Sequence, residues 1–439
     1  MNQNIRLIIL SLFIGLTSCF NDDFDDKFTF SGPQWAKVFG GMNDDHAYSV
    51  IQTTDGNLAV FGYTNSIDGD VTDKTLQEND YWLIKLTTEG EIIWSKTYGG
   101  SGDDKGQQVI ETLDGGFAIV GYSMSSDGNG SNNEGFHDNW ILKLDSSGEI
   151  EWEKSYGFSG HDHAYSVLQT NDGGFFMTGF LDVTASGGEG NSRRRHGVGE
   201  FWCHRLNTNG DIIWRRYFGG TQNDRSFSAV QANDGGFVIT GFTESNDFDI
   251  TDSRGSYDFW VIKLDTNGNL VWETSIGGSG IDQGRSIVKT NNNSYLIVGN
   301  SFSTDGDISQ NLGNSDFFIA NLNDNGDIIW TKNYGGSDFD YATSITPTYQ
   351  GFLVTGYSKS TDQHLSTNSG DNDFWVLKID SNGNIMDEKS FGGSGLDLAH
   401  DIVQLDDGSI VVVGETESND IEGIEHSGMK DALVIKFNQ

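Results

Sequence analysis

Basic side chains are scarce in this sequence, and so are cysteine and proline. The 439 residues include 26 lysines and arginines against 64 aspartates and glutamates, a formal net charge of −38. We therefore expect no nucleic-acid partner, because phosphate binding needs a basic surface. The 2 cysteines, Cys19 and Cys203, allow one disulfide at most, and none if Cys19 is modified. An acidic surface instead favours solubility and the binding of cations.

Long apolar runs are also missing, apart from residues 7–16 near the N-terminus. This run follows Arg6 and is too short to span a bilayer comfortably, so a secretory signal is a better interpretation than an uncleaved anchor helix. The run leads into L-T-S-C, which ends at Cys19 and resembles the bacterial lipobox. The resemblance implies a signal peptide at 1–18, cleavage before Cys19 and acylation of its thiol.

An acidic tether at 19–32 follows the predicted cleavage site. Phe20, and not Asp, comes after the cysteine, which by resemblance to lipoprotein sorting rules argues against retention in the inner membrane. Residues 21–26 read N-D-D-F-D-D and resemble the acidic tract that directs some Bacteroidetes lipoproteins to the cell surface. A solvated spacer is the alternative. We expect a lipid anchor in the outer membrane or at the cell surface.

Glycine and aromatic residues are abundant, with 58 glycines, 28 phenylalanines and 11 tryptophans. This composition suits a tightly turned β protein packed by aromatic side chains. One glycine-rich stretch, of the type G-G-S-G-I-D, recurs at intervals of 57 to 62 residues. Its first glycines are Gly40, Gly99, Gly157, Gly219, Gly277, Gly335 and Gly392. Seven copies at one period predict a repeat architecture.

Each repeat contains four short strand signals, which we label a to d. Strand a follows the aspartate of the glycine-rich stretch, and strand b has the form F-V-I-T-G-F, as in residues 237–242. Strand c reads D-x-W and continues with apolar residues, as expected for a strand covered on both faces. Strand d carries a tryptophan in most copies, but Asp387 interrupts the series. Four strands per repeat are typical of a propeller blade.

The two ends of the repeat region complement each other. The region opens with an isolated d strand at 35–39 and closes on a c strand at 432–437. Six complete units and one split unit therefore predict an all-β, seven-bladed β-propeller of four-stranded blades over 33–439. The N-terminal strand joins the C-terminal blade and closes the ring, which leaves no unpaired blade edge.

Two resemblances follow from these motifs. Residues 263–272, K-L-D-T-N-G-N-L-V-W, resemble the tryptophan-docking repeat of quinoprotein-type propellers. The G-G-S-G-I-D and D-G-G-F-V-I-T-G motifs resemble the repeats of secreted bacterial β-propeller surface proteins and lipoproteins of the Bacteroidetes type. The resemblance implies an architecture more than an activity. Quinoprotein dehydrogenases usually have eight blades, an adjacent-cysteine disulfide and a calcium-bound cofactor, whereas BamB-like lipoproteins are similar in fold without being enzymes.

The aspartate of the glycine-rich stretch occurs once per repeat, at the entry to strand a. We interpret it as a structural residue whose side chain bonds to loop or neighbouring-blade N–H groups. A ring of ligand-binding carboxylates at the channel mouth is the alternative. The series is Asp45, Asp104, Asp162, Asp224, Asp282, Asp340 and Asp397.

The loops between strands b and c hold further aspartates, of which Asp68, Asp70, Asp305 and Asp307 are spaced like oxygen ligands of a hard cation. Calcium accepts several carboxylate and carbonyl oxygens in flexible geometry. None of the loops completes an EF-hand pattern, so solvated turn residues are the alternative. We expect no other cofactor.

The third repeat has an extended b–c loop with a rare basic cluster: Arg193, Arg194, Arg195 and His196. The guanidinium groups suit a carboxylate or phosphate on a partner, or else they pair with acidic loops of adjoining blades. His161 and His163 offer two imidazoles, but the sequence signals no third ligand, and zinc needs three or four.

No nucleophile elbow, Walker loop, dinucleotide fingerprint or H-E-x-x-H motif is present. The sequence therefore predicts a non-enzymatic, monomeric lipoprotein that acts as a rigid binding platform for a protein or glycan. The alternatives are a propeller glycoside hydrolase or polysaccharide lyase, and a BamB-like scaffold for envelope assembly.

Overall fold

A computed structural model describes residues 30–182, 197, 199–424, 426 and 428–438. These residues form strands β1 to β28 in seven antiparallel sheets of four, and no α-helix is found among them. The all-β, seven-bladed propeller predicted from the repeat is thus confirmed. No helix in the described part of the chain is long and apolar enough to cross a membrane.

The first four blades follow chain order, each running from its inner strand a to its outer strand d. Blade 1 contains β2 (Asp45–Gln52), β3 (Leu58–Thr64), β4 (Asp80–Leu86) and β5 (Ile92–Tyr98). Blade 2 contains β6 (Asp104–Glu111), β7 (Phe117–Ser123), β8 (Asp138–Leu144) and β9 (Ile150–Tyr156). Blade 3 contains β10 (His163–Gln169), β11 (Phe175–Asp182), β12 (Gly199–Leu206) and β13 (Ile212–Phe218). Blade 4 contains β14 (Asp224–Gln231), β15 (Phe237–Thr243), β16 (Asp258–Leu264) and β17 (Leu270–Ile276).

The remaining blades lead to the closure of the ring. Blade 5 contains β18 (Asp282–Lys289), β19 (Tyr295–Ser301), β20 (Asp316–Leu322) and β21 (Ile328–Tyr334). Blade 6 contains β22 (Asp340–Thr348), β23 (Gly351–Ser358), β24 (Asp373–Ile379) and β25 (Ile385–Phe391). Blade 7 contains β26 (Asp397–Gln404), β27 (Ile410–Thr416), β28 (Asp431–Phe437) and, as its strand d, β1 (Pro33–Phe39). The pairing of β1 with β28, from Pro33 against Phe437 to Phe39 against Ala432, confirms the predicted closure.

The core lies between the blades. Every strand c is buried along its whole length, and the tryptophans of this strand are among the largest fully buried side chains. They are Trp82, Trp140, Trp202, Trp260 and Trp375. Because each strand c is covered by neighbouring sheets on both faces, it needs apolar residues in succession and not in alternation.

Strand-d tryptophans join six of the seven blades to the next one. Trp272 donates its indole N–H to the carbonyl of Asp324 at 3.0 Å, and its ring lies against Gly326 in the c–d turn of the following blade. Trp214 and Trp35 make the same contact with the turns that follow them. Strand d of blade 6 faces blade 7, whose strands c and d come from opposite chain ends and have no c–d turn. This explains why Asp387 replaces the tryptophan there.

Each a–b pair contains a register shift at one position. In blade 4, Ser226 opposes Gly241 and Ser228 opposes Thr240, so Phe227 has no cross-strand partner. The other six blades shift at the equivalent place. A β-bulge of this kind redirects a side chain and bends the strand. Glycine is required opposite the bulge, because a Cβ at Gly241 would collide with the carbonyl oxygen of Arg225.

Candidate binding face and central channel

One end of the ring carries the d–a and b–c loops, and we call this end the loop face. Hydrogen bonds join the two loops in repeats whose loops the structure describes in full. The amide of Gly40 donates to Asp70 at 3.1 Å, and the amide of Gly277 donates to Asp307 at 3.2 Å. These contacts fix the loops around the entry to the innermost strands, so that the loop face surrounds the channel mouth.

The predicted aspartate series lies at this entry, and all seven side chains are buried. Asp104 is representative: it accepts hydrogen bonds from the amide of Gly100 at 3.0 Å, from the hydroxyl of Ser125 at 2.6 Å and from the hydroxyl of Ser123. One carboxylate therefore ties the d–a loop to the end of strand b. This arrangement stabilises the turn into the inner strand.

A second carboxylate, which the sequence interpretation missed, faces each of these aspartates. It is the first residue of strand c in the preceding blade. Blade 3 is the exception, because its strand c begins with Gly199 and the carboxylate is the second residue, Glu200. A Cβ added at Gly277 would collide with Asp258 Oδ1 and lie 2.9 Å from Asp282 Oδ2, so both oxygens border one small space. The facing carboxylates are Asp80, Asp138, Glu200, Asp258, Asp316, Asp373 and Asp431.

Several of these facing carboxylates have an oxygen without a hydrogen-bond donor in the described structure. The unpartnered atoms are Oδ1 of Asp80, Asp138, Asp258, Asp316 and Asp373. The D-x-W pattern shows the strand-c aspartate in the sequence, but its partner comes from the next blade, 24 residues away in the pair Asp80 and Asp104. Only the closed ring brings the two together.

Several carboxylates of these pairs have raised pKa values. Burial, reinforced by the neighbouring Asp340, raises the pKa of Asp316 to about 7. Burial and the nearby Asp138 raise the pKa of Asp162 to about 8, and burial together with Asp224 raises that of Glu200 to about 10. Removing a carboxylate from water and placing it beside another one disfavours the charged form. Asp162, Glu200 and Asp316 therefore hold protons near neutral pH.

The four aspartates predicted as calcium ligands contact backbone amides of the d–a loops. Asp68 accepts from the amide of Met42 at 2.9 Å, and Asp305 accepts from the amide of Ser279 at 2.7 Å. Asp70 and Asp307 accept from glycine amides, as described above, and Asp307 also pairs with Arg254 at 2.7 Å. A loop-fastening role accounts for these residues, and calcium binding by them stays a prediction.

The other predicted site residues lie outside the described part of the chain. These are the lipidation site Cys19 and the basic cluster Arg193, Arg194, Arg195 and His196.

The centre of the ring contains a cavity of about 320 Å³. It is lined by the bulge residue of every blade, the third residue after the repeated aspartate. We call these seven residues the channel ring: Tyr48, Gln107, Tyr165, Phe227, Arg285, Thr343 and His400. The seven copies therefore carry six different residue types at the position that the bulge exposes to the channel. This variation is visible in the aligned repeats, but its meaning depends on the bulge.

Aromatic and cationic groups dominate the channel ring. The guanidinium of Arg285 lies over the ring of Phe227 at 4.4 Å and donates to Gln283 at 3.1 Å. No carboxylate of the described residues lies within ion-pair distance of Arg285, so its charge is compensated only by the aromatic face and polar groups. Tyr165 and Phe227 lie 5.0 Å apart between ring centroids. The channel thus offers a cation to a ligand in an otherwise acidic protein.

A buried carboxylate beside the channel ring, Glu415, contacts two histidines. Glu415 contacts His46 and lies 3.4 Å from Nε2 of His400, which in turn stacks on Tyr48 at 4.3 Å. Burial opposes ionisation of Glu415, but hydrogen bonds to His400 and His46 outweigh it and hold its pKa below the usual range. Glu415 is therefore an ionised anchor for the two imidazoles and unsuited to donate a proton.

Comparison with known proteins supports the fold. No family model matches the chain. The regulatory protein FlaEY of Caulobacter vibrioides is 25% identical over 195 residues, which are 41% of this chain and 20% of that protein. The matched segment is therefore a small part of that relative.

Solved structures with similar folds have little sequence in common with this chain. The Pan2 WD40 domain of Neurospora crassa aligns with a TM-score of 0.51 and 8% identity, over 94% of this chain and 98% of that chain. BamB of Moraxella catarrhalis aligns with a TM-score of 0.41 and 14% identity, over 92% and 85%. The likeness to the Pan2 domain shows a shared propeller fold. Fold and cavity together define a seven-bladed β-propeller with a ligand-sized channel.

Proposed function

We propose that this protein is a non-enzymatic, monomeric binding lipoprotein whose ligand enters the channel ring from the loop face. The observation that carries the proposal is the channel ring itself. Seven structurally equivalent positions hold six different residue types, which supply aromatic, amide, hydroxyl, imidazole and guanidinium groups, although small residues precede them in every repeat. Structural demands are the same in every blade, so they do not account for this variety.

The chemistry of the ring favours a glycan that bears carboxylate groups. Tyr48, Tyr165 and Phe227 supply flat apolar faces for sugar rings, and Gln107 and Thr343 supply hydrogen bonds. Arg285 has no carboxylate partner among the described residues, and its planar fork suits a ligand carboxylate. A cavity of about 320 Å³ lies at the lower end of the usual size of ligand sites and accommodates the end of a chain.

Binding without turnover fits the hydrogen bonds of the two carboxyl groups near the ring. Asp401 lines the cavity and has a pKa raised by burial, but it accepts hydrogen bonds from the hydroxyl of Ser344 at 2.7 Å and from the amide of Val50 at 2.9 Å. Glycoside hydrolysis needs one protonated and one ionised carboxyl group on opposite sides of the scissile bond. Glu415, held ionised by two histidines, serves as an anchor for those histidines and is not free to act as an acid. Hydrolase and lyase activity remain as outcomes of the experiment below.

The binding test compares uronic-acid oligosaccharides with neutral oligosaccharides of the same length by calorimetry on the full-length chain in detergent. We expect binding of the acidic series and a loss of at least about tenfold in affinity in Arg285→Ala, the scale of one hydrogen bond to a charged group. Lys154→Ala, which removes a positive charge on outer strand d, is the matched control and retains affinity. Equal affinity in both variants, or no binding, contradicts the proposal. Release of shortened or unsaturated products overturns its non-enzymatic part.

The proposed location rests on the N-terminal sequence. Acylation predicts that labelled palmitate enters the wild-type chain in bacterial cells and is absent from Cys19→Ala. Protease treatment of intact cells then separates surface display from a periplasmic position, which a BamB-like assembly scaffold requires. A wild-type chain without label contradicts the lipid anchor but leaves the channel proposal standing.

A further inference from the structure

Three histidines meet at the loop face, between blades 2 and 3. His161 lies in the d–a loop of blade 3 and His163 begins strand β10 of that blade. His137 comes from the b–c loop of blade 2 and forms a parallel bridge with His161. One ring nitrogen of each side chain lies within 4.8 Å of those of the other two. The sequence alone indicated two of these ligands, because His137 is 24 residues from His161 and belongs to the preceding blade.

The distances suit a tetrahedral ion. Nδ1 of His137 lies 2.9 Å from Nδ1 of His161 and 3.4 Å from Nε2 of His163. Nitrogens bound to zinc at its usual bond length are roughly 3.3 Å apart. Small rotations of the three side chains therefore place all three nitrogens around one ion.

Two of the three outward ring nitrogens already have the partners that metal-bound histidines need. Nε2 of His137 lies 3.4 Å from Asp103 Oδ2, and Nδ1 of His163 lies 3.3 Å from the hydroxyl of Tyr165. A carboxylate or hydroxyl on the second nitrogen fixes the tautomer and the ring orientation of a ligating histidine. His163 is further held by stacking on Tyr122 at 3.8 Å. The inward nitrogens are thus aimed at a common point.

The repeat does not require histidine at these places. The residues that correspond to His161 in the neighbouring blades are Asp103 and Asn223, and those that correspond to His163 are Lys105 and Arg225. The blade fold forms equally well with these side chains. Three imidazoles at one junction are therefore a property of this junction alone.

We propose that His137, His161 and His163 bind one zinc ion at the loop face, with a fourth coordination position open to solvent. Imidazole is a preferred ligand of zinc, and a three-histidine site with an open position accepts water or a ligand oxygen. His161 is exposed, which gives the ion a route from solvent. Through Tyr165 the site adjoins the channel ring, so the ion lies where a ligand enters. This inference does not depend on the proposed ligand.

The test uses the full-length chain, purified in detergent without a histidine tag, freed of metal by a chelator and titrated with zinc chloride. We expect one zinc per chain by calorimetry. Cobalt(II) in place of zinc should give the intense visible absorption of a tetrahedral site, which reports the ligands directly. His161→Ala should weaken zinc binding at least about tenfold and abolish the cobalt spectrum. Because His161 is exposed, this variant should melt at the same temperature as the metal-free wild type.

His364→Ala is the matched control, since His364 lies on the same face in the b–c loop of blade 6 and outside the cluster. It should bind zinc like the wild type. Asp103→Asn tests the positioning role of Asp103 and should reduce zinc affinity about tenfold while the cobalt spectrum keeps its tetrahedral form. Absence of stoichiometric zinc binding, or equal affinity in His161→Ala and His364→Ala, overturns the proposal.

Discussion

At the junction between blades 5 and 6, a strand-a aspartate with several hydrogen bonds faces a strand-c aspartate that has fewer. Asp340 accepts hydrogen bonds from the amide of Gly336 at 2.8 Å and from the hydroxyls of Ser360 and Ser358. Its neighbour Asp316 accepts from the amide of Leu312 at 2.6 Å through one oxygen, and the other oxygen has no donor among the described residues. The two members of a pair therefore contribute differently to stability.

This difference predicts that Asp316→Asn stabilises the protein. The amide keeps the acceptor for Leu312 and adds an N–H donor toward Asp340, and it removes one of two adjacent buried charges. We expect the free energy of unfolding near pH 8 to rise by about 1.5 to 3 kcal/mol, the value of a hydrogen bond to a charged group. Urea unfolding followed by tryptophan fluorescence measures the change.

Asp340→Ala is the contrasting variant, since it leaves the amide of Gly336 and two hydroxyls without their acceptor. We expect it to lower the free energy of unfolding by about 2 to 4 kcal/mol. If Asp316→Asn destabilises the protein as much as Asp340→Ala does, the two carboxylates have equal roles and the interpretation is wrong.

At the scale of the residue, the sequence predicted which side chains lie at the loop face better than it predicted which of them contact each other. The repeated Asp104 and the D-x-W aspartate Asp80 are both conspicuous in the aligned copies, yet their pairing requires the curvature of the ring. In the same way, His161 and His163 were visible while His137 was not, because its contact crosses a blade boundary. Single-repeat periodicity carries no information about which residues of adjoining blades meet.

At the scale of the element, strand order and ring closure were predictable because hydrophobic patterns and turn residues repeat at one period. The bulge in each strand a was not, because one extra residue in a short strand leaves little trace in the alternation of side chains. For that reason the channel ring, from Tyr48 to His400, was not recognised as a set. The interruption at Asp387 likewise became intelligible only when blade 7 proved to lack a c–d turn.

The contact between strand d and the next c–d turn gives a prediction at this scale. Gly326 has a φ of +87° and a Cβ there would lie 2.8 Å from the ring of Trp272. Gly56, in an a–b turn, has a φ of +82° with open space around it. Both positions strain an alanine by about 1 to 2 kcal/mol, but only the first also displaces a tryptophan.

We therefore expect Gly326→Ala to lower the free energy of unfolding by at least about 1 kcal/mol more than Gly56→Ala does, since a displaced aromatic contact adds to the backbone strain. Urea denaturation of the two variants in parallel makes the comparison, and Gly56→Ala serves as the control for positive φ. Equal losses would show that docking of Trp272 contributes nothing to the cohesion of blades 4 and 5.

At the scale of the whole molecule, the closed ring concentrates acidic groups at its junctions in a chain whose net charge is already −38. Closure by β1 and β28 gives blades 7 and 1 the same carboxylate pair as the others, formed by Asp431 and Asp45. Burial raises the pKa of Asp45 to about 6, and the nearby Asp431 adds to the effect. Stability of the ring is therefore linked to proton concentration through all seven junctions.

We predict that the protein becomes less stable as pH rises from about 7 to about 9. Below this range the imidazoles of His163 and His204, whose pKa values burial lowers to about 3, oppose the effect, because their neutral folded forms gain stability as pH rises toward 6.5. A carboxyl group whose pKa is raised on folding binds its proton more tightly in the folded chain. Its contribution is complete below the ordinary value of 3.8 and is lost as pH rises through the folded values, about 6 for Asp45, 7 for Asp316 and 8 for Asp162. Carboxylates with lowered pKa values, such as Asp114 beside Lys143, are ionised in both the folded and the unfolded chain over this range, so they do not contribute to the change.

Melting temperatures at intervals across the range, in chelator and in calcium chloride, measure the effect. In chelator the melting temperature should fall steadily, and the slope should be smaller in Asp316→Asn, which removes one titrating group. A higher melting temperature in calcium chloride at the alkaline end would support the predicted calcium binding, and identical curves would contradict it. A melting temperature that increases with pH in chelator would contradict the prediction, because it would show that ionisation of the junction carboxyl groups does not destabilise the folded chain.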